Sequence, residues 1–179
     1  ASNSADAAAL LKDSIRDEDP VLFLEHRGLY FRSDDPPPSE ASPAMQAATI
    51  IRPGNDITII TYSKLVWDTM DAAAQLEKQG ISAEIIDLRS LVPLDMETVT
   101  GSVKRTSRAL IAHEAVLNGG LGAEIAARIQ EQAFNWLDAP VARLGAPFAP
   151  VPASPVLEDA FVPNAISIVE KVLRILGRD

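Results

Sequence analysis

The feature that most constrains the fold is a series of short runs rich in Val, Ile, Leu and Ala: Ile57 to Tyr62, Ala83 to Leu88, Ala109 to Ala112 and Val141 to Leu144. Runs of this kind are apolar on both faces, as strands are in a parallel sheet covered by helices on either side. The chain between them carries helical signals. Val66, Met70, Ala73 and Ala74 recur at helical spacing after Ser63, a candidate cap, and Gly80 stops the pattern. A short helix is expected after Pro93 with Asp95 near its start. Another, following Gly119, Gly120 and Gly122, carries Ile125, Ile129, Ala133 and Trp136 in register, and a last one starts at Asn164 with Ile166, Val169 and Leu173 on one stripe. Parallel neighbours need a crossover long enough for a helix. The pattern therefore predicts an α/β three-layer sandwich with a mostly parallel, partly mixed sheet. A hairpin around Pro53-Gly54, joining a strand over 47–52 to the next, would supply the antiparallel edge.

Upstream the signals thin out. Ser4 to Arg16 reads as a helix with Ala8, Leu11 and Ile15 on one face, and Val21 to Leu24 reads as a strand after Pro20. One helix and one strand are too little for a domain. Two Pro-rich stretches, Asp34 to Pro43 and Ala146 to Pro155, read as ordered or semi-rigid loops.

A chain of 179 residues buries enough surface, roughly 70% of what it exposes unfolded, to hold a core without staples. It has no Cys, which excludes thiolate metal sites, iron–sulfur clusters, thiol nucleophiles and disulfides, and it has only two histidines, His26 and His113. The formal charge of −9 opposes nucleic acid and favours a basic partner. No apolar run reaches the roughly 18 residues of a membrane span, and no signal-peptide pattern is present. The expectation is a cytoplasmic protein, or one of the mitochondrial matrix if eukaryotic.

In open α/β sheets ligands lie beyond the carboxyl ends of the strands. Those ends carry Tyr62 and Ser63, Asp87 and Arg89, and His113 and Glu114. The bland alternatives are a helix cap for Ser63 and a structural ion pair for Asp87 and Arg89. His113 and Glu114 could form an acid/base pair, but neighbours on a strand point to opposite faces. The Asn118 to Glu124 turn, with Gly119, Gly120 and Gly122, could present backbone N–H groups to an anion. It is not a dinucleotide fingerprint, its glycines also suit close packing, and Glu124 disfavours a phosphate. Ser63, Asp87, Arg89, His113, Glu114, Gly119 and Gly120 make up the candidate crevice. Glu25-His26-Arg27 beside Tyr30 reads as a domain-edge surface, and Asp17-Glu18-Asp19 as a solvated turn.

Several strings together resemble the beta chain of thiamine diphosphate-dependent 2-oxoacid dehydrogenases, the family of the pyruvate, branched-chain and acetoin enzymes. They are Asp19-Pro-Val-Leu-Phe-Leu-Glu-His-Arg-Gly-Leu-Tyr30, Gly54-Asn-Asp-Ile-Thr-Ile-Ile-Thr-Tyr-Ser63, Ile86-Asp-Leu-Arg-Ser-Leu-Val-Pro-Leu-Asp95, His113-Glu-Ala-Val-Leu-Asn-Gly-Gly-Leu-Gly-Ala-Glu124, Asp138-Ala-Pro-Val-Ala-Arg143 and the Pro147 to Pro155 loop. The resemblance implies that residues 1–33 are the end of a pyrimidine-binding domain, 34–46 a linker, and 47–179 a domain like the carboxy-terminal domain of transketolase. The family's cofactor-activating glutamate and catalytic histidine would lie upstream, so no catalytic, cofactor or metal role passes to residues of this chain.

Thiamine diphosphate and magnesium would belong to the whole enzyme, and the chain alone is expected to bind neither and to be inactive. The resemblance further implies a heterotetramer with an alpha chain and a second beta chain. It also implies docking of the basic peripheral subunit-binding domain of the acyltransferase, with Glu158, Asp159 and Asp179 as candidate contacts. In some relatives the turn matching Ser14, Asp17 and Asp19 helps hold potassium, with the other half of that site upstream. Two rivals stand beside this reading. One is a free-standing module binding a small anion at Ser63, Arg89, His113 and the Gly119 to Gly122 turn; the other is a fragment of a transketolase or deoxyxylulose-phosphate synthase.

Overall fold

The computed structural model describes residues 1–32 and 46–178. Helix α1 spans Ser4–Arg16 and a 3-10 turn spans Arg27–Leu29. There follow β1 Thr49–Arg52, β2 Ile57–Thr61, α2 Leu65–Glu77, β3 Ala83–Asp87, α3 Met96–Thr106, β4 Ala109–Val116, α4 Leu121–Ala133, β5 Ala142–Ala146, α5 Pro155–Phe161 and α6 Ala165–Ile175. The five strands form one sheet in the order β1-β3-β2-β4-β5, parallel except for β1. This is the expected mixed α/β sandwich.

The layers follow from alternation along buried strands. Ile57 and Ile59 of β2 with Ile85 of β3 face Leu65, Leu76, Ile168 and Val172 of α2 and α6. Ile60 and Ile86, one residue out of phase, face Val99, Val103, Ile125 and Ile129 of α3 and α4. Every residue of β2 and β3 is buried, so these two strands carry the apolar runs seen in the sequence. Most of the polar residues among them find partners, Thr61 Oγ1 excepted, which has none among the described residues. Thr58 Oγ1 lies 2.6 Å from Ser102 Oγ and 2.7 Å from Thr106 Oγ1, and Glu84 accepts from Arg105.

Several sequence expectations need correction. The strands flanking Pro53-Gly54 do not form a hairpin: β1 pairs antiparallel with β3 instead, with Ile50 opposite Ile86 and a register shift before Arg52. The link passes across the start of β3, and a Cβ on Gly54 would overlap the Ala83–Glu84 peptide. Only a residue without a side chain lets the backbone come so close. Val21 to Leu24 is irregular rather than a strand, with Leu22 and Leu24 exposed. In α1 the buried residue is Leu10, while Leu11 and Ile15 are exposed. Helix α4 stops at Ala133, and Trp136, in a 3-10 turn, lies on the surface with the Lys104 ammonium 4.6 Å from its ring centre. Along α6 the inward residues are Ile168, Val169 and Val172, and Ile166 is exposed.

Helix α5, which the Pro-rich reading did not anticipate, begins with Pro155 in its first turn, where a missing N–H does no harm. Asp95 does cap α3, its Oδ1 accepting from the Thr98 N–H at 3.0 Å. The stretch 34–45 expected as most of a linker lies outside the described residues.

The Gly54 contact gives a test of the β1–β2 link. A Gly→Ala change at an unstrained site usually stabilises by about 0.4–1 kcal/mol through the unfolded chain. At Gly54 overpacking reverses the sign, and Gly54→Ala is expected to lower the unfolding free energy by about 1–3 kcal/mol in urea titrations. Unchanged or increased stability would contradict the close approach of the β1–β2 link to the start of β3.

Candidate functional site

Strands β2, β3 and β4 end side by side, and β2 and β3 turn out of the sheet through unusual backbone. Ser63 and Arg89 both adopt the left-handed region, at φ 60° and 56°. Such angles are uncommon outside Gly and Asn and persist only where the surroundings fix them. Ser63 therefore does not cap α2; the N-cap position is Lys64, without a side-chain cap bond, and the Ser63 carbonyl accepts from Val66 N–H at 3.3 Å. At Arg89 the fixing contact is local, its backbone N–H donating to Asp87 Oδ1 at 3.1 Å.

Asp87 and Arg89 are joined through that backbone bond. The buried guanidinium of Arg89 reaches away from Asp87: Nε donates to Asp6 Oδ1 at 2.9 Å and Nη1 to the Ala47 carbonyl at 2.8 Å. Asp87 in turn accepts from the Ser2 hydroxyl. Burial pushes the Asp87 carboxyl above its ordinary range, opposed by the Ser2 hydroxyl and the Arg89 N–H.

His113 and Glu114 point apart, as strand alternation requires. The Glu114 carboxylate lies 3.2 Å from His26 Nε2 and 3.9 Å from Lys64 Nζ. His26 Nδ1 accepts the Gly28 N–H at 3.0 Å. His113 is fully buried, its ring stacked near Tyr62 at a centroid distance of 6.3 Å. His113 Nδ1 donates to the Ala115 carbonyl at 3.0 Å, which leaves Nε2 as a bare acceptor, without a partner among the described residues. Burial lowers its pKa, the Ala115 bond opposes this, and the Arg143 charge adds to the lowering.

The glycine turn is built around that ring. A Cβ on Gly122 would overlap His113 Nε2, one on Gly120 would stand 3.1 Å from Cε1, and one on Gly145 of β5 would stand 3.0 Å from it. Gly119, at φ +72°, makes the bend that brings α4 over the ring. The imidazole fills the space beside Gly122, and Glu124 of the first turn pairs with Arg128 at 2.7 Å. Among the described residues no three carboxylate or imidazole groups converge on a metal-sized site, and no helix is long and apolar enough to cross a membrane. Ser14 and Asp17 bond locally, to the Leu10 carbonyl and the Asp19 N–H.

The structure thus brings Ser63, Asp87, Arg89 and Glu114 to one end of the sheet, and sets His113, Gly119 and Gly120 beneath the start of α4. Sequence reasoning missed the partners supplied from residues 1–32. The Trp67 indole donates to the Ser2 carbonyl at 2.8 Å, and the Arg32 guanidinium lies 3.4 Å from the centre of its ring. Nothing in local spacing signals contacts between residues 83 positions apart, as Asp6 and Arg89 are.

A family model for the transketolase C-terminal domain matches residues 46–168, the whole sheet and most of its helices. The chain belongs to the transketolase C-terminal domain family. It is 42% identical over 163 residues to the acetoin:2,6-dichlorophenolindophenol oxidoreductase subunit beta of Cupriavidus necator, covering 91% of this chain and 48% of that subunit. It is also 42% identical over 173 residues to the pyruvate dehydrogenase E1 component subunit beta of Bacillus subtilis, covering 96% of this chain and 53% of that one. The chain therefore spans about half the length of the curated relatives it matches. Among solved structures, a split-gene transketolase described as an inactive β4 tetramer superposes with a TM-score of 0.67 at 26% identity, over 77% of this chain and 44% of that one. The family's sheet is the one built here, and these comparisons bear out the family expected from the sequence strings.

The lowered His113 pKa has a definite sign in stability. Unfolded imidazole titrates near 6.5 and the buried one below that. Below about pH 6.5 the unfolded chain binds the proton more readily, so stability falls with acidity. Asp87, raised on folding, acts in the opposite direction. Comparing the chain with His113→Asn isolates the first effect: their stability difference is expected to be constant above about pH 7 and to shrink towards pH 5, because the variant lacks that loss. Parallel profiles in urea titrations would contradict a neutral, buried His113.

Proposed function

We propose that this chain is the carboxy-terminal portion of the beta subunit of a thiamine diphosphate-dependent 2-oxoacid or acetoin dehydrogenase. In this reading it serves subunit assembly and docking rather than the chemical step. With a 2-oxoacid as substrate, the whole enzyme would decarboxylate it oxidatively and transfer the acyl group to a lipoyl-lysine. The observation that carries this is the identity of 42% spread over 91% and 96% of the chain to two beta subunits of such enzymes. In the same reading residues 1–33 close a pyrimidine-binding domain, 34–46 form the linker and 47–179 the second domain. The start of the family match at residue 46 supports that division.

The residues present do not fit the cofactor by themselves. A diphosphate wants open N–H donors and cationic neighbours. Here the glycine turn is filled by His113, and the Arg89 guanidinium is bonded to Asp6 and Ala47. The cofactor and its magnesium would be held by parts of the enzyme outside this chain, and no step is assigned to it here. The same two facts weigh against the small-anion module, and the names of the relatives weigh against a transketolase or synthase fragment.

Assembly would place the chain beside an alpha chain and a second beta chain. The charge of −9 favours encounter with a basic domain, chiefly through the association rate. Glu158 and Asp159 lie exposed on α5 and are candidate contacts for the acyltransferase's subunit-binding domain. Asp179, the third, lies outside the described residues.

The test is direct. The 179 residues mixed with thiamine diphosphate, magnesium, pyruvate, acetoin or a branched-chain 2-oxoacid and an artificial electron acceptor are expected to give no turnover. Turnover by this chain alone would overturn the assignment of chemistry to other parts. A thermal-shift screen with phosphates and 2-oxoacids addresses the rival, since saturation at 100 times the dissociation constant adds about 2.7 kcal/mol.

A further inference from the structure

We infer that the end of the sheet formed by β2, β3 and β4 is an intramolecular seat for segment 1–32, in which Asp6 serves as the carboxylate ligand of Arg89. The inference deepens the proposed function by naming the surface that would hold the preceding domain, and in that sense it rests on that reading.

The contacts are polar, directional and spread over three neighbouring strand ends. After β2, Trp67 donates to the Ser2 carbonyl and carries Arg32 on its ring face. At the end of β3, Asp87 accepts from Ser2 and Arg89 binds Asp6. On β4, the Glu114 carboxylate lies 3.2 Å from His26 Nε2. Ser2 and Asp6 belong to the start of the segment and His26 and Arg32 to its end, so both ends of the segment are fastened. The segment buries only Ser2 and Leu10, and the described contacts that join it to the sheet ends are mostly polar.

The backbone is shaped for the same purpose. Arg89 is held at positive φ by its bond to Asp87, and from that position its side chain, 1% exposed, runs to α1. An external carboxylate would have to displace Asp6, which is tethered at an effective concentration on the order of millimolar. The seat therefore selects its own chain over small anions.

Trypsin cleavage at Arg16 and Arg27 of the full 179-residue chain measures release, and in a Trp136→Phe background the emission of Trp67 reports the same event. Asp6→Arg places a cation against Arg89, and Glu114→Gln weakens the contact at the other end of the segment. Asp6→Arg is expected to raise the cleavage rate about tenfold and to shift Trp67 emission to the red, with far-ultraviolet dichroism retained. Glu114→Gln should act in the same direction, less strongly. Pairing Asp6→Arg with Arg89→Asp should recover protection, which an effect on the amino terminus of α1 alone would not do. Wild-type cleavage and emission in both Asp6→Arg and Glu114→Gln would overturn the seat. Neither readout depends on turnover, so failure here leaves the dehydrogenase reading standing, and turnover by the isolated chain would leave the seat standing.

Discussion

The buried guanidinium of Arg89 governs one half of the carboxyl end of the sheet. Arginine stays charged at any pH the protein meets, and a buried charge without partners costs several kcal/mol. With its side chain 1% exposed, Arg89 needs fixed acceptors, and it finds them in the Asp6 carboxylate and the Ala47 carbonyl. The first draws α1 onto the sheet; the second fixes the approach to β1. Asp87, one strand position before the turn, orients the Arg89 backbone and anchors Ser2. A place that topology alone marks as a ligand crevice is in this way filled from within the chain.

His113 governs the other half of the same region by shape rather than charge. Its ring takes the volume that a Cβ on Gly122 would occupy, and its tautomer is set by one carbonyl. The acceptor left on Nε2 is tolerated because neutral imidazole costs far less to bury than imidazolium. Gly120 and Gly122 are thus explained by close packing, and Gly119 by its positive φ. The same residues read as a phosphate cradle only while the ring beneath them is ignored.

How much of this could be read from the sequence depends on the range of the interaction. The buried strands announce themselves because each residue's burial on both faces is written in its own side chain, as in Ile57 to Thr61. The order of the strands is not local, and β1 shows it: Pro53-Gly54 looks like a hairpin turn, yet Gly54 is small because it crosses β3. Helix faces fail for a related reason. Leu11, Ile15 and Ile166 keep a helical period but are exposed, since periodicity says that a helix has an apolar face and not which neighbour covers it. At the site, Ser63, Asp87, Arg89 and Glu114 are predictable as strand ends, whereas Ser2, Asp6 and His26 become their partners only through folding.

Segment 1–32 presents two different faces, and the difference bears on what the chain is. Towards the sheet it offers Ser2, Asp6 and His26, each matched to a specific polar group. Away from it Ile15, Leu22, Leu24 and Phe31 are exposed, at 75%, 92%, 68% and 94%. Scattered exposed apolar residues are ordinary, but this many in one short segment are the composition of a core rather than of a surface. A segment polar where it meets this domain and apolar elsewhere has the character of an element shared between two bodies. In the reading proposed here the second body is the pyrimidine-binding half of the subunit. The polar contacts at the strand ends would then set how that half is carried, and the apolar residues would complete its core.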